Sequence, residues 1–292
     1  MNIIPIQENF GAKVFDVDLS KPMDSTAFHA LYDAWLSHSI LVFPGQQLTP
    51  DQQISFSRLF GELDIHVFKK ALHPNHPEIY RLSNVMEAGK QIGKGSTQYW
   101  HSDLSYMDEP AKASLLYSIE APEVGGDTLY ADMYAAYDEL PASLKEKIEK
   151  IEVVHNFTDF PARYARMNNT MENVPVIPPE IRESMADVVH PMVIQHPETG
   201  KRALYVNAGF SVSCVGLPSG ESEALLKELF ERAVQEKYIY RHKWKVGDVV
   251  LWDNRCVIHS ATGGYQAPMR RLMHRTTIHG SRPTPAWANE RP

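Results

Sequence analysis

The stretch that decides the fold is GDVVLWDNRCVIHSATGGYQAPMRRLMHRTTI, residues 247–278. It contains two segments rich in apolar and β-branched residues, DVVLW at 248–252 and RRLMHRTTI at 270–278. Such segments are typical of β-strands. His259 follows the first predicted strand, so we expect a sheet protein that carries a histidine just beyond a strand.

The second predicted strand carries two arginines that matter for function. Arg271 and Arg275 are four residues apart, so on a strand they share one face, while Arg270 and His274 point the other way. Two cations aimed at an interior are costly unless anions meet them. A dicarboxylate co-substrate and an acidic substrate would supply those anions. The alternative is a pair of surface arginines in salt bridges.

The rest of the chain indicates a mainly β fold with peripheral helices. Short segments rich in β-branched or aromatic residues predict further strands. They are at 40–43, 113–119, 127–131, 152–157, 192–196 and 203–207. A hairpin is predicted to turn at 198–200. Amphipathic or capped patterns predict helices at 25–39, 49–61 and 221–235.

Many strands with few helices suggest a β-sandwich or jelly roll, here as a single domain over residues 1–292. One stretch, residues 160–185, is rich in Pro, Asn and Met. Long irregular segments of this kind are often lids. It is predicted to be either a surface excursion between strands or a substrate lid.

Composition narrows the functional classes. The net charge of -7 comes without a basic stripe, so no nucleic-acid partner is expected. The two cysteines, Cys214 and Cys256, are too few for a disulfide scaffold or a four-cysteine zinc site. The first residues lack the features of a secretory signal, and no apolar run reaches the length of a membrane span. We expect a cytoplasmic protein with no membrane partner.

The stretch QYWHSDLSYMDEP, residues 98–110, places His101 two residues before Asp103. On a strand these side chains would share a face. The spacing alone decides nothing, because chance predicts roughly 0.7 such pairs in a chain of this composition. A third ligand from elsewhere would complete a two-histidine, one-carboxylate site, which leaves positions open on non-haem Fe(II).

Two other histidine–acid pairs compete with this one. They are His76 with Glu78 and His196 with Glu198, and each has a proline between its members. We interpret both pairs as loop residues, the second in the predicted hairpin turn.

Four motifs in order carry a family resemblance. WHSD at 100–103, GGDTLYADM at 125–133, WDNRCVIH at 252–259 and RRLMHR at 270–275 resemble the Fe(II)/2-oxoglutarate-dependent dioxygenases of the taurine dioxygenase group. Each motif is weak alone, but the ordered set is specific. The similarity runs from about Leu41 to Ile278. It implies the double-stranded β-helix, a jelly roll.

The resemblance implies roles for five residues. His101, Asp103 and His259 match the iron ligands. Thr128 and Arg271 match the residues that bind the distal carboxylate of 2-oxoglutarate. The implied cofactors are Fe(II), 2-oxoglutarate as co-substrate and O2. The carboxylate of Asp103 implies hydroxylation, because halogenating relatives carry a small residue there.

The substrate pocket departs from the taurine enzyme. Arg275 matches the arginine that receives the acidic group of the substrate, and His66 matches a pocket histidine. Lys69 and Thr97 stand where the taurine enzyme has a tyrosine and an asparagine. The closer resemblance is to the phenoxyacetate herbicide dioxygenases, in which a lysine at the place of Lys69 contacts the substrate carboxylate. The alternative for Lys69 is a solvated surface lysine.

The resemblance therefore implies a small-molecule anionic substrate, and the closer resemblance to the phenoxyacetate enzymes indicates an aryloxyacetate. Hydroxylation beside its ether oxygen gives an unstable hemiacetal, which collapses to a phenol and glyoxylate. The alternatives are the same chemistry on taurine, an alkyl sulfonate or sulfate, or a natural-product carboxylic acid, and a non-catalytic jelly-roll binding protein. The family is commonly oligomeric, so a homo-oligomer is expected. Tyr99 and Tyr106 are either core packing or pocket walls.

Overall fold

The computed structural model describes residues 1–87, 89–93, 97–159, 177 and 179–288. Within these ranges the chain forms eighteen β-strands and six α-helices. The expectation of a mainly β protein with helices is confirmed.

The strands are numbered in chain order. They are β1 Asn2–Pro5, β2 Ala12–Phe15, β3 Ile40–Phe43, β4 Leu72–His73, β5 His76–Ser83, β6 Met86–Glu87, β7 Lys90–Gln91, β8 Ala113–Glu120, β9 Thr128–Asp132, β10 Glu152–His155, β11 Val188–Pro191, β12 Val193–Gln195, β13 Arg202–Leu204, β14 Ser211–Cys214, β15 Ile239–His242, β16 Val249–Asp253, β17 Val257–Ala261 and β18 Leu272–Ile278.

The helices are numbered in the same way. They are α1 Ser25–His38, α2 Pro50–Arg58, α3 Met133–Asp138, α4 Ala142–Ile148, α5 Pro179–Ser184 and α6 Ser219–Ala233. Short 3-10 helices cover Lys69–Ala71 and Glu236–Tyr238. No helix in the described ranges combines the length and apolar character that a membrane span needs.

The chain divides into two compact units. The first comprises Met1–Gln98, Ala111–Tyr130 and Tyr240–Gly280, and the second comprises Tyr99–Pro110, Ala131–Ile239 and Ser281–Pro292. The single domain predicted over residues 1–292 stays a prediction.

The first unit is built on an eight-stranded sheet with the order β1-β2-β3-β16-β8-β18-β5-β4. Its neighbours are antiparallel except for the parallel pair β2 and β3. The central strands are almost fully buried, which explains why 248–252 and 270–278 read as strands from their apolar residues alone. A second sheet has the order β15-β9-β17.

Helices α1 and α2 cover one face of the large sheet. Trp35 from α1 and Phe56 from α2 belong to a core cluster that includes Leu115, Leu251 and Ile278 from the strands. In strand β18 the residues that alternate with Ile278 also face α2, since the hydroxyls of Thr276 and Ser57 lie 2.6 Å apart. The opposite face of β18 therefore remains for Arg275, while Arg271 directly precedes the strand, which begins two residues later than the predicted 270–278.

The local signals for α1 and α2 are those expected from sequence. The Asp24 side chain caps α1 by accepting from the backbone of Ala27. Thr49 and Gln52 form the predicted capping box of α2, with Pro50 in the first turn. Helix α6 begins two residues earlier than the predicted 221–235.

The second unit contains the three-stranded sheet β11-β10-β14 and the hairpin of β12 and β13. The hairpin pairs Val193 with Leu204, and Gly200 in the turn has a φ of 70°, as a glycine tolerates. The predicted turn is confirmed, and Glu198 lies in it. The strand predicted at 203–207 is shorter, because pairing ends at Leu204.

Two expectations need separate mention. The loop assignment of His76 and Glu78 is wrong, because both lie in β5, whose first residue pairs with His73. Of the predicted lid at 160–185, residues 160–176 and 178 lie outside the described residues. Its last part includes helix α5.

Candidate active site

The His101–Asp103 pair does not lie on a continuous strand, contrary to expectation. His101 occupies an isolated bridge position, and Asp103 starts a turn. The turn is tight because Leu104 has a φ of 57°, unusual for a non-glycine residue, and its carbonyl accepts from Met107 N at 2.8 Å. The turn, and not strand alternation, brings both side chains together, with 3.7 Å between His101 Nε2 and Asp103 Oδ1.

The His101 ring is fixed by its backbone neighbours. Its Nδ1 lies 2.9 Å from the carbonyl oxygen of Tyr99. A carbonyl only accepts, so the hydrogen is assigned to Nδ1, and the Nε2 lone pair is left for a metal. The Tyr99 ring lies 5.0 Å from the His101 ring, and Phe210 packs edge-on to both. A Cβ at Gly209 would come within 2.8 Å of the Tyr99 ring, so only glycine fits there.

His259 extends from β17, and aromatic rings hold it. The Trp252 ring lies 4.7 Å from the His259 ring, and Tyr130 stacks at 6.1 Å. Trp252 is itself held by a 2.9 Å hydrogen bond from its indole nitrogen to Asn254. Packing of this kind limits the rotation of an imidazole before any ligand binds.

His101, Asp103 and His259 form a group that could hold a metal ion. Each offers one ligand atom, and these atoms lie within 4.8 Å of one another. All three side chains are buried. Two imidazoles and one carboxylate are the donor set of non-haem Fe(II) sites, and they leave positions open for other ligands. In the part of the chain that the structure describes, this is the only group of three such residues.

Thr128 begins β9 and is only 3% exposed. Its hydroxyl oxygen accepts a 2.9 Å hydrogen bond from the indole nitrogen of Trp244. A threonine hydroxyl can bind a carboxylate through a neutral hydrogen bond, and an arginine can do so through charge-assisted ones.

Arg271 is 2% exposed, and both its backbone and its side chain are held. The side-chain oxygen of Asn84 accepts from Arg271 N at 2.8 Å, and Asn84 N donates to the Arg271 carbonyl at 3.2 Å. Arg271 Nε donates to the Gly126 carbonyl at 3.2 Å. Burial lowers the pKa of the Arg271 guanidinium, which Tyr265 and Tyr130 partly oppose, and the group stays cationic.

Arg275 is 7% exposed and lies in β18, four residues after Arg271. Its guanidinium lies 5.2 Å from the centre of the Tyr80 ring. Tyr80 in turn stacks on His66 with 4.2 Å between ring centres, and His66 stacks on Phe68 at 5.4 Å. The structure thus links Arg275 and His66 through Tyr80.

The other two predicted pocket residues lie in different surroundings. Lys69 is exposed in the 3-10 helix Lys69–Ala71, and in the described residues its ammonium group makes no hydrogen bond or ion pair. Thr97 is half-buried, and its carbonyl accepts from Ala261 N at 2.9 Å, which places it beside strand β17. The location of Lys69 or of Thr97 does not by itself indicate a role in substrate binding.

Tyr99 and Tyr106, which the sequence left as either core residues or pocket walls, have different surroundings. Tyr106 is buried between Phe157 at 4.4 Å and Phe210 at 4.7 Å, so it is a core residue. Tyr99 is half-buried and contacts His101.

Sequence reasoning did not identify Trp244, Asn84, Tyr80 or Gly126. Each acts through a neighbour distant in sequence, such as Asn84 on Arg271. The one available signal was GG at 125–126, because paired glycines indicate a close backbone approach. Gly125 packs against Gly264 so tightly that a Cβ would lie 2.4 Å from its carbonyl oxygen.

Comparisons with known proteins agree with this geometry. Residues 2–277 match the family described as taurine catabolism dioxygenase TauD, TfdA family. The alpha-ketoglutarate-dependent 2,4-dichlorophenoxyacetate dioxygenase of Cupriavidus pinatubonensis is 36% identical over 94% of this chain and 96% of its own. An alkylsulfatase of Acinetobacter baylyi is 32% identical over 92% of this chain and 82% of its own. The solved structure of AAD-2 with Mn(II) and N-oxalylglycine has a TM-score of 0.82 at 30% identity, covering 97% of this chain and 100% of that one.

Proposed function

Because this chain belongs to the TauD, TfdA family of dioxygenases, we propose that it hydroxylates an aryloxyacetate and so cleaves its ether bond. It is a non-haem iron enzyme that uses Fe(II), 2-oxoglutarate (alpha-ketoglutarate) and O2 on a small-molecule substrate. That enzymatic identity removes the non-catalytic binding protein from the alternatives. The products of the proposed reaction are a phenol and glyoxylate, together with succinate and CO2.

The observation that carries the proposal is a pair of buried arginines, Arg275 in β18 and Arg271 directly before that strand. Arg271 and Arg275 are 2% and 7% exposed. An arginine forms strong charge-assisted hydrogen bonds with carboxylates. Two such groups favour a reaction on an acidic co-substrate and an acidic substrate.

The residues of the chain divide the work. His101, Asp103 and His259 would hold Fe(II), which with 2-oxoglutarate and O2 supplies the oxidising power for hydroxylation. Arg271 would bind the distal carboxylate of 2-oxoglutarate in a charge-assisted pair. Thr128 would donate a hydrogen bond from its hydroxyl to the same carboxylate. The burial of these side chains excludes water from the reacting groups.

The surroundings of Arg275 support an aromatic acid. Arg275 would pair with the substrate carboxylate, while Tyr80, His66 and Phe68 form a continuous series of stacked rings beside it. Such rings favour a flat aryl group through offset stacking. Lys69, next to Phe68 in sequence, would also pair with the substrate carboxylate. Thr97 would line the same pocket.

Three broader expectations belong to the same proposal. We infer that the β-sheets form a double-stranded β-helix, supported by the similarity to AAD-2 at a TM-score of 0.82. A homo-oligomeric state and a cytoplasmic location stay predictions. The oligomeric state is measurable by light scattering on the purified chain.

The test is a substrate panel under turnover conditions with Fe(II) and 2-oxoglutarate. Aryloxyacetates should release a phenol in a one-to-one ratio with succinate. Succinate release without phenol would contradict ether cleavage and leave the dioxygenase chemistry intact.

The alternative is the same chemistry on an alkyl sulfate, sulfonate or natural-product acid. The similarity to an alkylsulfatase favours the sulfate among these. The panel therefore includes an alkyl sulfate, taurine and an aliphatic carboxylic acid. A higher kcat/KM for the sulfate, measured by sulfate release, would replace the aryloxyacetate with that class.

A further inference from the structure

Trp244 makes a single hydrogen bond to the proposed co-substrate site, to the side chain of Thr128. Its indole Nε1 lies 2.9 Å from Thr128 Oγ1, and the two side chains are 7% and 3% exposed. An indole nitrogen only donates, so the threonine oxygen must be the acceptor. The hydroxyl therefore cannot direct its own proton at Trp244.

The proton of the Thr128 hydroxyl has no acceptor in the part of the chain that the structure describes. A buried donor without an acceptor costs free energy, and a bound anion would remove that cost. By accepting from Trp244, the hydroxyl is left as a pure donor toward a ligand. A hydroxyl can either donate or accept a hydrogen bond. The indole leaves this one only its donor role, which suits a carboxylate.

Trp244 is itself fixed by a buried polar cluster. The His242 ring meets the Trp244 ring edge-on at 4.4 Å. The two ring nitrogens of His242 lie 2.8 Å from the Tyr240 hydroxyl and 3.2 Å from Asp248 Oδ2. All four side chains are buried, so the indole has little freedom to turn away from Thr128.

We propose that Trp244 is a positioning residue that aims the Thr128 hydroxyl at the distal carboxylate of 2-oxoglutarate. It thereby favours dicarboxylic over monocarboxylic 2-oxo acids. The inference rests on the proposed role of Thr128 and adds to it the residue that makes the hydroxyl selective.

The experiment is an anaerobic titration of the Fe(II)-loaded protein, followed by the visible charge-transfer band of the bound 2-oxo acid. Trp244→Phe keeps an aromatic ring and removes the donor. We expect its Kd for 2-oxoglutarate to rise about 3- to 10-fold, the effect of one neutral hydrogen bond. Its Kd for pyruvate, which lacks the distal carboxylate, should not change.

Two control variants keep the test decisive. Thr128→Val removes the hydroxyl at nearly constant shape, and adding Trp244→Phe to it should weaken 2-oxoglutarate binding no further. Trp35→Phe removes another buried indole, one whose nitrogen has no partner among the described residues, and should leave both Kd values unchanged. Circular dichroism establishes that each variant is folded.

The failures are distinguishable. If Thr128→Val weakens 2-oxoglutarate binding and Trp244→Phe does not, Trp244 has no positioning role and the proposed function stands. Equal losses for pyruvate and 2-oxoglutarate, or additive effects in the double variant, would also overturn the role of Trp244. If Thr128→Val binds 2-oxoglutarate normally, the role of Thr128 and this inference fall together.

Discussion

Asp103 is a buried carboxylate beside the imidazole of His101, with 3.7 Å between their nearest ligand atoms. A buried carboxylate is stabilised by a cation, and a metal ion shared with His259 would supply one. As a metal ligand, Asp103 would take one coordination position and so limit how many remain open for other ligands.

We predict that Asp103→Ala abolishes both Fe(II) binding and succinate formation. The reason is that two imidazoles alone bind Fe(II) weakly compared with a two-histidine, one-carboxylate site. Equilibrium dialysis with Fe(II) under argon measures the binding. Asp108→Ala is the matched control, since Asp108 is exposed on the same segment and pairs with Arg282. Full activity in Asp103→Ala would remove the iron assignment.

Arg275 gives a second prediction for a single residue. Arg275→Gln should raise the KM for an aryloxyacetate roughly 10- to 150-fold, the range for a lost hydrogen bond to a charged group. The KM for 2-oxoglutarate should stay within about 2-fold, because Arg271 is the proposed partner of that co-substrate.

The control for this substitution is Arg270→Gln. Arg270 is an exposed arginine five residues before Arg275, and it forms a two-bond pair with Glu120 at the surface. Exposed pairs contribute little to stability, so the variant should fold normally. Because Arg270 has no role in the proposed site, the variant should keep both KM values. A selective rise in the KM for 2-oxoglutarate in Arg275→Gln would reverse the two proposed arginine roles.

Strand β18 also carries an unusual histidine on the face turned toward α2. Burial, together with the charges of His73, Arg81 and His76, lowers the pKa of His274 to about 4. The ring of His73 lies edge-on at 5.5 Å. His274 is therefore neutral in the folded protein at pH values where an unfolded chain would protonate it.

This shift predicts acid sensitivity of the fold. With a pKa near 6.5 unfolded and about 4 folded, the unfolded chain binds more protons between these values, so stability falls as pH drops from 6.5 to 4. His274 accounts for at most about 3 kcal/mol of that loss. His274→Gln should flatten the stability profile in this window, as measured by urea unfolding at several pH values.

Elements set by local signals were predictable from the sequence, and those set by distant partners were not. Helix α2 was predictable because its capping box lies within four residues. Strand β5 was missed because His76 and Pro77 resemble a loop, while its pairing partner β18 lies about 190 residues away. The Trp244–Thr128 contact joins residues 116 apart and leaves no local pattern. The candidate metal ligands were identified only through ordered motifs, since the spacing of His101 and Asp103 is common by chance.

For the whole molecule, the net charge is negative although the proposed substrate is an anion. The chain has a net charge of -7, yet the two most buried arginines among the described residues, Arg271 and Arg275, are proposed to bind anions. A buried site sets its own local field, so the overall acidity does not prevent binding of an acidic substrate. It does predict that attraction of the substrate from a distance is weak.

Metal binding should be visible in the stability of the whole molecule. A ligand that binds only the folded state at about 100 times its Kd adds about 2.7 kcal/mol. For a chain of this size that corresponds to a rise in Tm of roughly 5 °C with Mn(II) in differential scanning fluorimetry. A chelator should reverse the rise. An equal rise in Asp103→Ala would show that the ion binds elsewhere.

The two hydrogen bonds between Asn84 and the backbone of Arg271 have a geometric consequence. They fix the residue that precedes β18, so Arg271 and Arg275 stay four residues apart, about 13 Å along an extended backbone. One anion bound at each arginine, as proposed, would then be held at a fixed separation from the other. Under that proposal the reacting carbon of the substrate would be selected by the number of bonds between it and the acid group.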